Sequence, residues 1–329
     1  MNVAPAHLQA VAERLLGRGP HGFERVVEVD ERQRTLTERH ILPVLPRLEE
    51  EFREIREGVD RSIRAELAAR PEEVTDVEPD RSRNRYPRGF CLPITTMALT
   101  RFVERGLGPN PSEGFEAVWR FHEAGGVVGR IWGALRERYF QNAIQLGSHY
   151  FDVANDTVDV SKPKIEHMPL AESGFRNIRS IADFIEIGER YWGCRLLPNL
   201  HFARLIPVVL LLRLDADEGL LRPCVFGEFM RRLNVFGGFR ETEALLLAAV
   251  RDGPRLPEPW PQRIEAYRRR HLPKASAVPL EGVDAETIER LCRHARQGWN
   301  GAAMPSEVMD GLWQAAKRIL ISEGEELPT

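Results

Sequence analysis

Lysine is almost missing from this chain. Among 329 residues it stands only at 162, 164, 274 and 317, so arginine carries nearly all the basic charge. We read that skew as the base composition of the coding genome, not as a guanidinium-based function. Excess charge of one sign is missing too. A formal net charge of −3 supplies no basic field to recruit phosphates, which argues against a nucleic-acid partner. Long hydrophobic runs are lacking. The longest, Leu205 to Leu212, is far too short to cross a bilayer, so no membrane partner is expected. The first residues, Met1-Asn2-Val3-Ala4-Pro5, have neither the charged start nor the apolar core of a signal peptide. Cysteine is sparse: 91, 194, 224 and 292 are scattered, with no Cys-x-x-Cys pair. That excludes a zinc ribbon or a disulfide framework and suits a reducing, cytoplasmic setting. Glycine pairs at 125–126 and 237–238 form neither Gly-x-Gly-x-x-Gly nor a phosphate-binding loop. No cofactor and no metal are expected.

What is present is an ordinary globular composition, 43% hydrophobic and 29% charged. Apolar residues at 45, 48, 52, 55, 59, 63 and 67 recur in steps of three and four, which predicts a helix from Val44 to Ala69 ended by Pro71. Residues 71–88, rich in Pro, Glu, Asp and Arg, read as an exposed connector. A helix over Leu92–Glu104 follows, with Pro93 in its first turn and Gly106 as its stop. Residues 8–16, 114–124 and 128–146 also read as helices. From His149 to Met168 the chain reads as extended, with Asn155-Asp156 as turn residues. Helix returns over 178–192, and 205–214 fits either a buried strand or a buried helix. The segments 226–233, 241–250, 285–296 and 306–321 read as helical. Trp299-Asn300-Gly301 reads as an anchor for the last of them. The fold class is α+β, with a core over 82–215 between helical parts at 1–81 and 216–329.

The chemistry centres on Cys91, in Gly89-Phe90-Cys91-Leu92-Pro93 at a loop-to-helix junction. A free thiol is only a few per cent thiolate at neutral pH, and a helix N-terminus or an imidazolium raises that fraction. His149, opening His149-Tyr150-Phe151-Asp152-Val153, is the candidate imidazole. Asp159, across the expected hairpin, is the candidate that orients it. Side chains alternate along strands, so His149 and Asp159 share a face only with a three-residue loop at 155–157 or a β-bulge.

The run Cys91-Leu92-Pro93-Ile94-Thr95-Thr96-Met97-Ala98-Leu99, then Arg101 to Gly106, resembles the nucleophile helix of transglutaminase-like and papain-like cysteine enzymes. Gly147 to Val153 and Thr157 to Ser161 are similar to that group's histidine and aspartate strands. The resemblance implies a papain-like or transglutaminase-like core and acyl chemistry through a thioester. The substrate would be a peptide, a protein or a small amide or ester. Cys91 would attack, His149 exchange the proton and Asp159 orient it. The Cys91 N–H, with Asn84 near the place of the group's side-chain amide, would hold the oxyanion.

Two other readings compete. His149, Asp152 and His167 contain the two histidines and carboxylate of a non-haem iron oxygenase. However, His149 and Asp152 are three apart on a presumed strand and so point to opposite faces. The remaining alternative is a helical scaffold that binds partners and carries no catalysis.

Overall fold

The computed structural model describes residues 15, 25–69, 86–224, 237–271, 283–298, 316, 319 and 321–322. The chain divides into two compact units, residues 1–178 and 179–329.

In the first unit, helix α1 (Glu31–His40) starts at Asp30, whose side chain caps the Gln33 N–H. Helix α2 (Leu45–Ala69) buries Leu48, Phe52, Ile55, Val59, Ile63 and Leu67, the stripe that its three–four spacing dictates. Helix α3 (Cys91–Gly106) buries Ile94, Ala98, Leu99, Phe102 and Val103. Phe102 stacks on Phe52 with ring centres 4.7 Å apart. Gly106 is required by packing, since a Cβ there would meet the Phe115 ring at 2.1 Å. Helix α4 (Glu113–Glu123) is capped by Ser112 and puts Phe115, Val118 and Phe121 into the same core.

An antiparallel sheet follows, in the order β4-β3-β2-β1-β5. Its strands are β1 (Val128–Leu135), β2 (Tyr139–Leu146), β3 (His149–Asp152), β4 (Glu166–Pro169) and β5 (Phe175–Arg176). One face, with Val128, Ile144, Leu146 and Phe151, joins the core of the helices. The other, with Ile131, Leu135, Ala143, Tyr150 and Phe175, forms a second cluster.

The helix expected over 128–146 is therefore a hairpin. Both faces of β2 are covered, so the alternation that marks a half-buried strand is blurred. Its turn holds Arg136 and Glu137 at φ 53° and 55°, left-handed positions filled without the Gly or Asn that would announce them. The next turn obeys the rule. Gly147 has φ 59°, and a Cβ there would lie 2.3 Å from Thr37 Oγ1.

The second unit has an antiparallel sheet in the order β6-β7-β8-β9: Arg195–Pro198, Leu211–Asp215, Leu220–Pro223 and Ile321–Ser322. Its helices are α5 (Ile181–Trp192), α6 (Arg240–Asp252), α7 (Trp260–His271) and α8 (Ala285–Gly298). The ambiguous run 205–214 resolves into the end of a 3-10 turn at Ala203–Leu205 and then strand β7. Ile321, expected to end a helix, opens β9. The expected helix 226–233, nearly all of 8–16 and of 306–321, and Trp299-Asn300-Gly301 lie outside the described residues. The fold is α+β with antiparallel sheets. Among the described residues, no helix is long and apolar enough to cross a membrane.

Candidate functional site

Cys91 is the first residue of the 16-residue helix α3, and no side chain caps that end. The loop before it is held in place. Gly89 N–H donates to the Thr157 carbonyl at 3.3 Å, and Tyr86 packs edge-on against Phe90. Cys91 is also the only one of the four cysteines that is not buried. Burial pushes Cys194 up to about 12 and Cys292 up to about 11, and raises Cys224 well above the usual thiol range.

A side chain from β2 meets the sulfur. Asn142 Nδ2 donates to Cys91 Sγ across 3.4 Å. The Asn142 carbonyl accepts from Thr95 Oγ1 at 3.4 Å, a second tie between α3 and the strand. Trp132 is paired directly with Asn142, so its indole stands on the same face, stacked on Phe140 at 5.3 Å. Asn142 is 2% exposed. Sequence reasoning missed it because 128–146 was read as a helix, where Gln141, Asn142 and Gln145 pass for a polar face. No local signal separates the two readings: 141, 142 and 145 fall within an arc of about 100° on a helix, so they suit a helix face as well as a strand covered on both sides.

His149 lies on the same face as Asn142 but at the other end of the strand pair, opposite Leu146. Leu146 is four residues from Asn142, roughly 13 Å along a strand. The His149 ring is engaged elsewhere: Nε2 lies 3.4 Å from His167 Nδ1, and His167 Nε2 lies 3.4 Å from Glu49 Oε2. The Glu49 carboxylate accepts from His167 Nε2, and the two imidazoles meet nitrogen to nitrogen. His167 also stacks on Phe151 at 5.7 Å. Burial, and then the neighbouring His167, lower His149 to about 4, so it is neutral at pH 7.

Asp159 is not on a strand, contrary to expectation. Asp152 pairs with Glu166, so β3 and β4 are joined by residues 153–165 and not by a tight hairpin. The segment Asn155–Thr157 is one 3-10 turn. Asn155 closes the loop through Nδ2 to the Pro163 carbonyl and N–H to the Lys164 carbonyl. Val158-Asp159-Val160 alternates like a strand but has no sheet partner, and Val160 is 56% exposed. Asp159 accepts from the Ser161 hydroxyl and N–H at 2.7 and 3.0 Å, which hold its carboxyl below the ordinary range. Asn84 lies outside the described residues.

In the metal alternative, His149, Asp152 and His167 would share one site. His149 and His167 do meet, but Asp152 faces the other way, accepting from Gln141 and Tyr150. Among the described residues, no group of three potential ligands comes together to hold a metal ion.

The structure thus gathers Cys91, Asn142, Trp132 and the start of α3, and sets His149, His167 and Glu49 apart as a chain along the sheet. Comparison of the sequence and structure with protein-family models, with curated proteins and with solved structures gives no match.

Proposed function

We propose that this protein performs thiol-dependent acyl chemistry on an amide or ester, with Cys91 as nucleophile. One observation carries the reading: the one cysteine that is not buried opens a 16-residue helix and receives an amide hydrogen bond at its sulfur. A helix N-terminus favours the anionic thiolate, and a donor aimed at the sulfur does so again. The thiol proton leaves to solvent, and the thiolate then attacks the acyl carbon. A helix start offers first-turn N–H groups that run short of intrahelical acceptors, and the developing oxyanion takes one of these. Collapse expels the amine or alcohol, which takes a proton from water, and leaves an S-acyl thioester. Water or an amine resolves it. Trp132 and Phe140 supply an apolar, aromatic surface on the same sheet face as Asn142.

A cysteine-bearing helix packed on an antiparallel sheet is also what supports the transglutaminase-like or papain-like reading of 82–215. Asn142 stands at the sulfur where that arrangement would put an imidazole, so the site works through electrostatic stabilisation of the thiolate.

The test is acylation by p-nitrophenyl acetate. The expected result is a stoichiometric burst of nitrophenolate, with the acetyl group mapped by mass spectrometry to Cys91 and released by hydroxylamine. Cys91→Ser should abolish the burst, and His149→Ala should leave it within about twofold, because its ring is engaged with His167, opposite Leu146 and four residues along β2 from Asn142. No burst, or acetyl spread evenly over the four cysteines, sinks the reading and returns the scaffold.

A further inference from the structure

Asn142 is buried, yet half of its amide has no work inside the protein. Nδ2 donates to Cys91 Sγ, while Oδ1 has no hydrogen-bond partner among the described residues. The backbone of Asn142 is satisfied separately, with its carbonyl accepting from Thr95 and its N–H donating to Gln141 Oε1. Buried acceptors in folded proteins are nearly always paired, so an unpaired one beside a reactive group calls for a ligand. Nor can the amide turn over to relieve it. A thiolate only accepts hydrogen bonds, so the ionised Cys91 must face Nδ2, which leaves Oδ1 to seek a donor.

We propose that Asn142 Oδ1 accepts a hydrogen bond from the substrate, so that the Cys91 site selects a carbonyl bearing an N–H, a carboxamide, over an ester. This rests on Cys91 being the reactive thiol. The geometry suits it, because Nδ2 and Oδ1 belong to one planar group. A second planar amide laid against it brings its carbonyl carbon to Sγ while its N–H meets Oδ1. An ester at the same place leaves Oδ1 buried and unpaired. Sites built to pair a substrate N–H discriminate sharply against analogues that lack it.

Three alkylating reagents test this on the intact full-length chain: iodoacetamide, methyl iodoacetate and N,N-dimethyliodoacetamide. The last two lack the N–H in different ways. In each case the thiolate sulfur bonds to the methylene carbon and iodide leaves, so only recognition differs. Labelling of Cys91 is followed by peptide mass spectrometry, and each rate is divided by that of the urea-unfolded chain. The expected result is a normalised preference for iodoacetamide of about tenfold over both other reagents, the worth of one hydrogen bond. Asn142→Leu should bring the ratio to about one by the same reasoning. Equal normalised rates, with Cys91 still labelled ahead of Cys194, Cys224 and Cys292, overturn the inference and leave the nucleophile standing. Preference that survives in Asn142→Leu also overturns it. Labelling of Cys91 no faster than the other three overturns both. The wild-type comparison is decisive even if the variant does not fold.

Discussion

Asp152 is wholly enclosed at the end of β3, and it accepts from Gln141 Nε2, Tyr150 Oη and the Ala154 N–H at 2.8, 2.9 and 2.7 Å. Three donors favour the carboxylate, but burial outweighs them and raises the group from 3.8 to about 7. A carboxyl whose folded pKa is raised contributes stability that is full below the unfolded pKa. That stability is lost as pH climbs through the folded value. The window is therefore about pH 4 to 7, with the protonated acid as the stable buried form. Relative to Asp152→Asn, the wild-type protein should gain on the order of 4 kcal/mol on going from pH 8 to pH 4. Urea unfolding of both proteins across that range measures it. A gap that does not change with pH would mean that the carboxylate stays ionised inside the fold. None of this was legible in the sequence, where Asp152 read as one more strand residue or as a metal ligand. Its state depends on Tyr150, two residues back on the same face of β3, and on Gln141, which only the β2–β3 register brings to it.

Among the elements, α2 and the 153–165 connection are joined by a buried ion cluster. Arg56 grips both Asp156 carboxylate oxygens at 2.8 and 3.0 Å, the Val153 carbonyl at 3.0 Å and Asp60 at 2.9 Å. Asp60 also receives the Tyr86 hydroxyl and Lys164. The connection carries Thr157, whose carbonyl holds the Cys91 loop, so the cluster reaches the candidate site through one hydrogen bond. Removing the buried guanidinium strands the Asp156 carboxylate away from water and leaves Asp60 with Tyr86 and Lys164 alone. Arg56→Met should cost about 3–5 kcal/mol in urea unfolding, as broken buried ion pairs do. A loss below about 1 kcal/mol, the size of a surface pair, would mean that water already reaches the cluster.

The elements also differed in how plainly the sequence announced them. Helices α2 and α3 were legible because each has one apolar stripe and one solvated face, and periodicity reports that contrast directly. The β1–β2 hairpin was not, since both faces of β2 are covered and its turn is made by Arg136 and Glu137. The strand expected around Asp159 failed for the opposite reason. Val158 and Val160 alternate around it, yet a strand needs a partner, and residues 153–165 find theirs in α2 and the Cys91 loop.

At the scale of the whole molecule, the unit 1–178 has its own helix-and-sheet core and a second cluster on the far face of its sheet. A unit with a separate core of that size folds alone as a rule. Residues 1–178 expressed alone should therefore unfold in urea in one cooperative step. Fluorescence of Trp119 and Trp132 and far-ultraviolet dichroism should trace the same transition. Non-coincident curves would show that the unit depends on the rest of the chain.

By itself the sequence determined the class of the molecule, the amphipathic helices and the position of Cys91 at a helix start. These follow from local rules: composition, three–four spacing, and the proline and glycine that bracket a helix. Only the tertiary structure decided what faces the sulfur. Partnership across a sheet is a matter of register, and a shift of one residue turns every side chain to the other face. The register of β2 put Asn142 at Cys91 and placed His149 four residues further along with His167, while the 153–165 connection left Asp159 on the surface.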